Sequence, residues 1–219
     1  MTKRTLSGFL GLLLIPDHNT VRIMKDVVLE HRRLKRRLAS AAYVVKPEGA
    51  HITLFQARTF KSLPISTARE VVKTISSLLV TNRAGSAMLH LNKVEPYRGN
   101  DKFLFWQARR SGMLDFAHGM AAGLSGWVDK SGVESDSALE RRISDLPSRP
   151  QEFARAIHHN EQLYGYGLVD NLFEPHITLA ADPGGFGKLR PFEEAVIGSV
   201  ARVVLARMGE WGKIDEILF

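Results

Sequence analysis

His51-Ile52-Thr53-Leu54 recurs as His176-Ile177-Thr178-Leu179, and the chain is read outward from this repeat. In an extended strand successive side chains point to opposite faces. Each copy therefore turns its histidine and threonine to one side and packs its isoleucine and leucine on the other. A lone His-x-Thr means little, because such a pair arises readily by chance. Two copies with the same apolar fillers, each inside a strand-like run, point to a paired site. Two strands that each present an imidazole and a hydroxyl supply a general acid, a general base and two donors to one anionic group. That is enough to cleave a phosphodiester without a metal ion. Two unrelated amphipathic strands are the competing reading.

Upstream, the apolar run Gly8-Phe9-Leu10-Gly11-Leu12-Leu13-Leu14-Ile15 ends in Pro16-Asp17-His18 and reads as a buried first strand. Lys3 and Arg4 give it the look of a signal peptide, but it lacks a small-x-small cleavage site and is too short to span a bilayer. Asn19 or Thr20 can cap a helix reaching about Ala39, with Val21, Met24, Val28 and Leu34 at helical spacing. A second helix opens at Thr67 with Glu70 three residues on, a capping-box pattern. Strands follow from Ala87 to Val94 and from Lys102 to Ala108, joined through Pro96–Asp101, then a helix from Ser111 to about Val128. The stretch 129–160 is polar, holds Pro147 and Pro150, and offers helix starts at Ser137 and Ser148. It reads as a helical insertion, lying on the surface or acting as a lid. The tail offers strands from Ala195 to Ala206 and from Ile214 to Phe219. Elements in this order, with several hairpins, predict an α+β fold with mainly antiparallel sheet.

With 219 residues, 44% hydrophobic and 24% charged, the composition is ordinary for a soluble globular protein. The length suffices for one domain or two small lobes. Cysteine is absent, which excludes disulfides, thiolate chemistry and Cys-ligated zinc. A net charge of +7 favours polyanionic partners. Much of it sits in His31-Arg32-Arg33-Leu34-Lys35-Arg36-Arg37, either a solvated helix face or a nucleic-acid contact.

The duplicated motif resembles the 2H phosphoesterase superfamily, named for its two His-x-Thr-x motifs. The order of elements around it, the Phe103-Leu104-Phe105-Trp106 strand before a helix, and the ending Val203-Val204-Leu205 … Trp211-Gly212-Lys213-Ile214 resemble the same family. The resemblance implies one bilobal catalytic domain over 1–219, with a helical insertion at about 129–160. It further implies pseudo-two-fold symmetry and two mainly antiparallel sheets with helices outside, each lobe giving one motif to a central groove. Members hydrolyse 2′,3′-cyclic phosphates or 2′,5′ linkages, and some bacterial ones are called 2′,5′ RNA ligases. The stretch 129–160 sets the motifs wider apart than in compact bacterial members. Arg141-Arg142 and Tyr164-Gly165-Tyr166, leading into Phe173-Glu174-Pro175-His176, resemble the longer-insert branches.

Opening a cyclic phosphate needs a base for the attacking water and an acid for the departing oxygen. Histidine suits both, since its unperturbed pKa is about 6.5, and each transfer contributes roughly 10²–10⁴-fold. We expect His51 and His176 as the catalytic pair and Thr53 and Thr178 as phosphate-binding donors. We expect no metal, cofactor or membrane, a nucleotide or RNA-end substrate, and a cytoplasmic, monomeric protein. Phe55, on the His51 and Thr53 face, joins Tyr97 and Tyr166 as candidates for stacking on a base. Asp182–Leu189 resembles a phosphate loop but lacks its first glycine and closing Ser/Thr, so it reads as a plain loop. His158 and His159, adjacent in a helical segment, read as surface residues, and His118 as a packed one. His90 faces away from Leu89 and Leu91 and has no evident partner. Two other readings stay open: a nucleic-acid-binding module without turnover, and a hydrolase of a small non-nucleotide cyclic phosphate.

Overall fold

The computed structural model describes residues 5–81, 88–98 and 100–219. Its strands are β1 (Thr5–Pro16), β2 (Tyr43–Val44), β3 (Ile52–Pro64), β4 (Met88–Pro96), β5 (Phe103–Ala108), β6 (His176–Ala181), β7 (Phe192–Met208) and β8 (Ile214–Ile217). They pair in the order β1-β3-β6-β5-β4-β7-β8, with β2 on β6 and β7 returning to β1. Every pairing is antiparallel. The first half of β7 lies on β4 and the second half on β1, so this long strand crosses from one half of the fold to the other. One half holds β1, β3 and β8; the other holds β2, β4, β5 and β6. The two sheets implied by the resemblance are thus halves of one hydrogen-bonded circuit, and the α+β class stands. Ala87, read from the sequence as the start of β4, lies outside the described residues, as do Lys3, Arg4 and Gly99.

The helices are α1 (His18–Ile23), α2 (Lys35–Leu38), α3 (Ile65–Thr81), α4 (Gly112–Ala122), α5 (Asp136–Ile143) and α6 (Ser148–Tyr164). Asp17, rather than Asn19 or Thr20, caps α1, accepting from the Thr20 amide at 2.8 Å and the Ser199 hydroxyl at 2.7 Å. Buried Thr20 accepts in turn from the Ser199 amide at 3.2 Å. This corner fastens β1 and α1 to β7 where it changes partners. Gly198 is required there, because a Cβ would sit 2.3 Å from Thr20 Oγ1.

The single helix expected up to Ala39 is broken. After α1 comes a π-turn over Met24–Val28, then turns, then the short α2. Met24, Val28 and Leu34 are all fully buried. Leu34 lies six positions beyond Val28, off the stripe of one regular helix, so the break is what lets all three reach the core. α3 begins ahead of Thr67, and α4, capped by the Ser111 hydroxyl, tightens into 3₁₀ turns before Val128. Ser135, not Ser137, caps α5. α6 runs past Asn160 to stop at Gly165, whose φ of +75° favours glycine.

Arg155 grips Glu140 through two bonds of 2.7 and 2.8 Å, bracing α6 on α5. His158 is only 4% exposed and bonds Asp136 at 2.9 Å, so it lies between the helices and not on the surface as the sequence suggested. His159 is exposed. The principal core joins one face of the sheet to α3 and α4 through residues such as Leu12, Ile52, Ile75 and Leu114. Burying each contributes roughly 1.5–3 kcal/mol. Among the described residues no helix is long and apolar enough to cross a membrane.

Candidate active site

The motif strands β3 and β6 meet at one described pair, Ile52 with Ile177, both buried. In an antiparallel register centred there, His51 falls opposite Thr178, and Thr53 opposite His176. Directly opposed residues bring their Cβ atoms to about 4.5–5.5 Å and diagonal ones to about 7–8 Å. The four polar side chains thus form a quartet on the face away from the buried isoleucines, with the histidines on one diagonal and the threonines on the other.

Each motif ends in a β-bulge. On β3, Thr53 pairs with Leu13 and Phe55 with Leu12, leaving Leu54 unopposed. On β6, Thr178 pairs with Phe105 and Ala180 with Leu104, leaving Leu179 unopposed. A bulge changes which face the following residues take. Phe55 is therefore turned into the core beside Leu12, 1% exposed and edge-on to Phe60 and Tyr166 at 6.2 and 5.7 Å. It cannot stack on a base as expected. Gln56 takes the Thr53 face in its place, with Oε1 buried and, among the described residues, without a partner.

The two imidazoles are held alike. His51 donates from Nδ1 to the Gly49 carbonyl at 2.7 Å, and His176 from Nδ1 to the Glu174 carbonyl at 2.6 Å. A carbonyl only accepts, so Nδ1 carries the proton in each ring and Nε2 is the reactive nitrogen. Among the described residues neither Nε2 has a hydrogen-bond partner, nor do the hydroxyls of Thr53 and Thr178, and none of the four atoms is sealed from solvent. Burial pushes the pKa of His51 down, against the pull of the Gly49 carbonyl. Burial brings His176 down to about 4, the Glu174 carbonyl opposing and a charge on His51 adding to the fall. The rings are therefore close enough for a proton on one to disfavour a proton on the other. Phe105 stacks on His176 at 3.6 Å between centroids and 15° between planes, which fixes the ring and dries it.

The other aromatic candidates lie beside this quartet. Tyr97 is 7% exposed, packed on Phe105 at 5.0 Å and edge-on to Phe153 of α6 at 6.3 Å, with its hydroxyl buried and, among the described residues, unpartnered. Its face is covered by protein, contrary to a stacking role. Tyr166 is half-buried, and burial raises the pKa of both tyrosines. Arg98 pairs with Glu174 and lies over the Phe153 ring at 5.4 Å. α6 thus reaches the border of the site through one aromatic side chain. A cavity of about 330 Å³ opens next to His176, lined by Glu95, Arg98, Gln107, Asn171 and Glu174. Gln107 stands opposite His176 on the ladder. Gly185 and Gly187 of the 182–189 loop close on Asp101 rather than forming a cradle, since a Cβ would lie 2.9 Å from its carboxylate at Gly185 and 2.6 Å at Gly187. Among the described residues no group of three or more His, Asp or Glu side chains converges to hold a metal ion.

No protein-family model matches the sequence, and no curated protein is similar to it in sequence. Solved structures are similar in fold. TT0787 of Thermus thermophilus, a 2H phosphoesterase superfamily member, aligns over 96% of this chain and 95% of its own, at 15% identity and a TM-score of 0.51. The chain has the 2H phosphoesterase fold. E. coli LigT in its apo form aligns over 97% of this chain and 95% of its own (13% identity, TM-score 0.48), and a protein described as a phosphoesterase over 98% and 97% (13%, 0.47). Within this 2H fold the paired bulges and the paired backbone carbonyls mark the pseudo-two-fold relation of the halves. Sequence reading missed Phe105, Gln56 and Gln107. Phe105 could have been found from its place in the Phe103-Leu104-Phe105-Trp106 strand, whereas Gln56 depends on a bulge that no local signal announces.

Proposed function

We propose that the protein is a metal-independent phosphodiesterase that hydrolyses a 2′,3′-cyclic phosphate or a 2′,5′ linkage of a nucleotide or RNA end. The observation that carries this reading is the register of β3 on β6, which puts His51 opposite Thr178 and Thr53 opposite His176, with their Nε2 and Oγ1 atoms unpartnered among the described residues. His176, neutral, takes a proton from water at Nε2 as the water oxygen bonds to phosphorus. The bond from phosphorus to the departing ribose oxygen breaks, and that oxygen receives the Nε2 proton of His51. Thr53 and Thr178 donate to the non-bridging oxygens as charge builds on them. The products are a phosphomonoester and a free hydroxyl, and exchange with solvent resets both rings. Repulsion between the rings is mutual and keeps both from being charged at once; His51 is proposed as the acid because Phe105 lies flat on His176 and dries that ring, with burial bringing it down to about 4. An anionic phosphate between the rings draws the proton onto His51 by favouring the charged form.

The cavity beside His176, with the amides of Gln107 and Asn171 in its lining, is assigned to the rest of the substrate. The protein is read as a cytoplasmic monomer. The test is turnover in EDTA on 2′,3′-cyclic nucleotides, on RNA ending in a cyclic phosphate and on 2′,5′-oligoadenylates. We expect activity on at least one, lost in His51→Ala; a folded protein inert on all three would refute the assignment.

A further inference from the structure

His118 is unusual among the eight histidines. Among the described residues it alone has both ring nitrogens bonded to backbone. It sits on α4, 2% exposed, with Nδ1 2.6 Å from the carbonyl of Leu54 and Nε2 3.1 Å from the amide of Asp170. The carbonyl can only accept and the amide can only donate. The partners therefore dictate one state, a neutral ring with its proton on Nδ1. The ring also stacks on Phe173, at 4.0 Å and 5°.

One partner belongs to the first motif and the other to the approach to the second. Leu54 is the bulged leucine of the first, next to Thr53. Asp170 opens the 3₁₀ turn Asp170–Leu172 that delivers Phe173, Glu174 and then His176, and Asp170 itself holds a positive φ of 53°. β3 and β6 share one direct described pair; the sheet otherwise joins them only the long way round, through β1, β7, β4 and β5. β2, ahead of His51, also bonds β6 at Leu179–Ala181; His118 adds a side-chain link between Leu54 and the segment that leads into His176. We propose that His118 is a positioning residue: its neutral ring ties the bulge of the first motif to the approach of the second, and so sets the gap between His51 and His176. The inference rests on that pair being the acid and base. A proton on Nε2 would face the Asp170 amide with a second N–H, breaking the tie. The charged groups around the ring are Asp170 on the approach segment, Asp115 on α4 and Arg110 ahead of α4. Burial is the largest influence and keeps the ring neutral, with Arg110 assisting and the Leu54 carbonyl and the two aspartates opposing.

Three variants separate positioning from mere packing. His118→Phe keeps a ring on Phe173 and removes both bonds. His118→Asn retains an amide nitrogen near Nδ1 for Leu54, and His118→Gln an amide oxygen near Nε2 for Asp170. Misplacement of a reacting group by about 1 Å costs up to about a hundredfold. We expect kcat of His118→Phe to fall about tenfold to a hundredfold with KM within about threefold, and the amide variants to fall between. A second readout needs no turnover. By NMR titration, His51→Gln should raise the pKa of His176 in the parent protein, and raise it less in the His118→Phe background. If the protein turns over none of the substrates, this coupling alone decides the inference. A folded His118→Phe protein with unchanged kcat and undiminished coupling overturns it. Should that variant fail to fold, parent values of kcat and coupling in both amide variants overturn it equally.

Discussion

Buried imidazoles at the heart of this fold tie its chemistry to pH. Under the proposed pairing, His51→Ala and His176→Ala should each abolish nearly all turnover, because an acid and a base acting in one step cannot replace each other. Thr53→Ala and Thr178→Ala should cost about 10–10³-fold each, the loss of one donor to the phosphoryl group. Steady-state kinetics on the same substrate measure all four, and His159→Ala, exposed, serves as the control. A tenfold loss or less from either motif histidine would break the paired assignment. The same rings affect stability. His51, His118 and His176 all have folded pKa values below the ordinary 6.5. The unfolded chain then binds more protons than the folded one below about pH 6.5. Their contribution is complete above that pH and is lost as pH falls through the folded values, which for His176 means toward about 4. Denaturant unfolding at pH 7.5 and 4.5 should show the parent losing on the order of 2 kcal/mol more than His176→Gln over this interval. Equal losses would mean that His176 takes up its proton as easily folded as unfolded.

At the scale of elements, legibility followed the range of the interaction that fixes each feature. The motif strands were legible because period-two alternation is local to the tetrapeptide, and the buried first strand because its apolar run is unbroken. The bulges at Leu54 and Leu179 were not, since each is defined by the strand opposite, and with them went the facing of Phe55. The helix up to Ala39 was misread because Met24, Val28 and Leu34 each suit a helix, yet one straight helix cannot bury all three. His158 was misread because its partner, Asp136, lies on a different helix. The corner where β7 passes α1 shows the same dependence on distant neighbours, and it can be tested. Gly198→Ala places a methyl against Thr20, and overpacking of this kind costs about 1–3 kcal/mol. Thr20→Ala removes the obstructing hydroxyl and methyl but also the bond to the Ser199 amide. Denaturation midpoints of the two single variants and the double should therefore be non-additive, the double being more stable than the summed losses imply. Strict additivity would show that the steric reading of Gly198 is wrong.

Over the whole molecule, the +7 charge is not evenly spread. Arg37 bonds the Gly185 carbonyl at 2.9 Å, and His31 stacks on Phe192 at 4.0 Å, which brings the α2 region against the loop after β6. Exposed Arg32, Arg33, Arg36, Lys188 and Arg190 thereby gather on one surface, and among the described residues none of them forms an ion pair. That surface adjoins the end of β6 remote from His176, about 16–20 Å away at strand rise. A mononucleotide held between His51 and His176 cannot reach it, whereas an RNA of several nucleotides can. KM for such an RNA should climb steeply with salt, because each phosphate neutralised by a lysine or arginine releases counterions with a logarithmic slope of about −0.7 on a single strand. Arg36→Glu with Arg190→Glu should raise KM for the RNA about tenfold or more and flatten its salt dependence, with a much smaller effect on a 2′,3′-cyclic mononucleotide. Equal effects on both substrates would show that the patch acts only by distant charge. RNA binding with the same steep salt slope, unaltered when both motif histidines are replaced and unaccompanied by turnover in the parent, would instead favour a binding module built on an enzyme's fold.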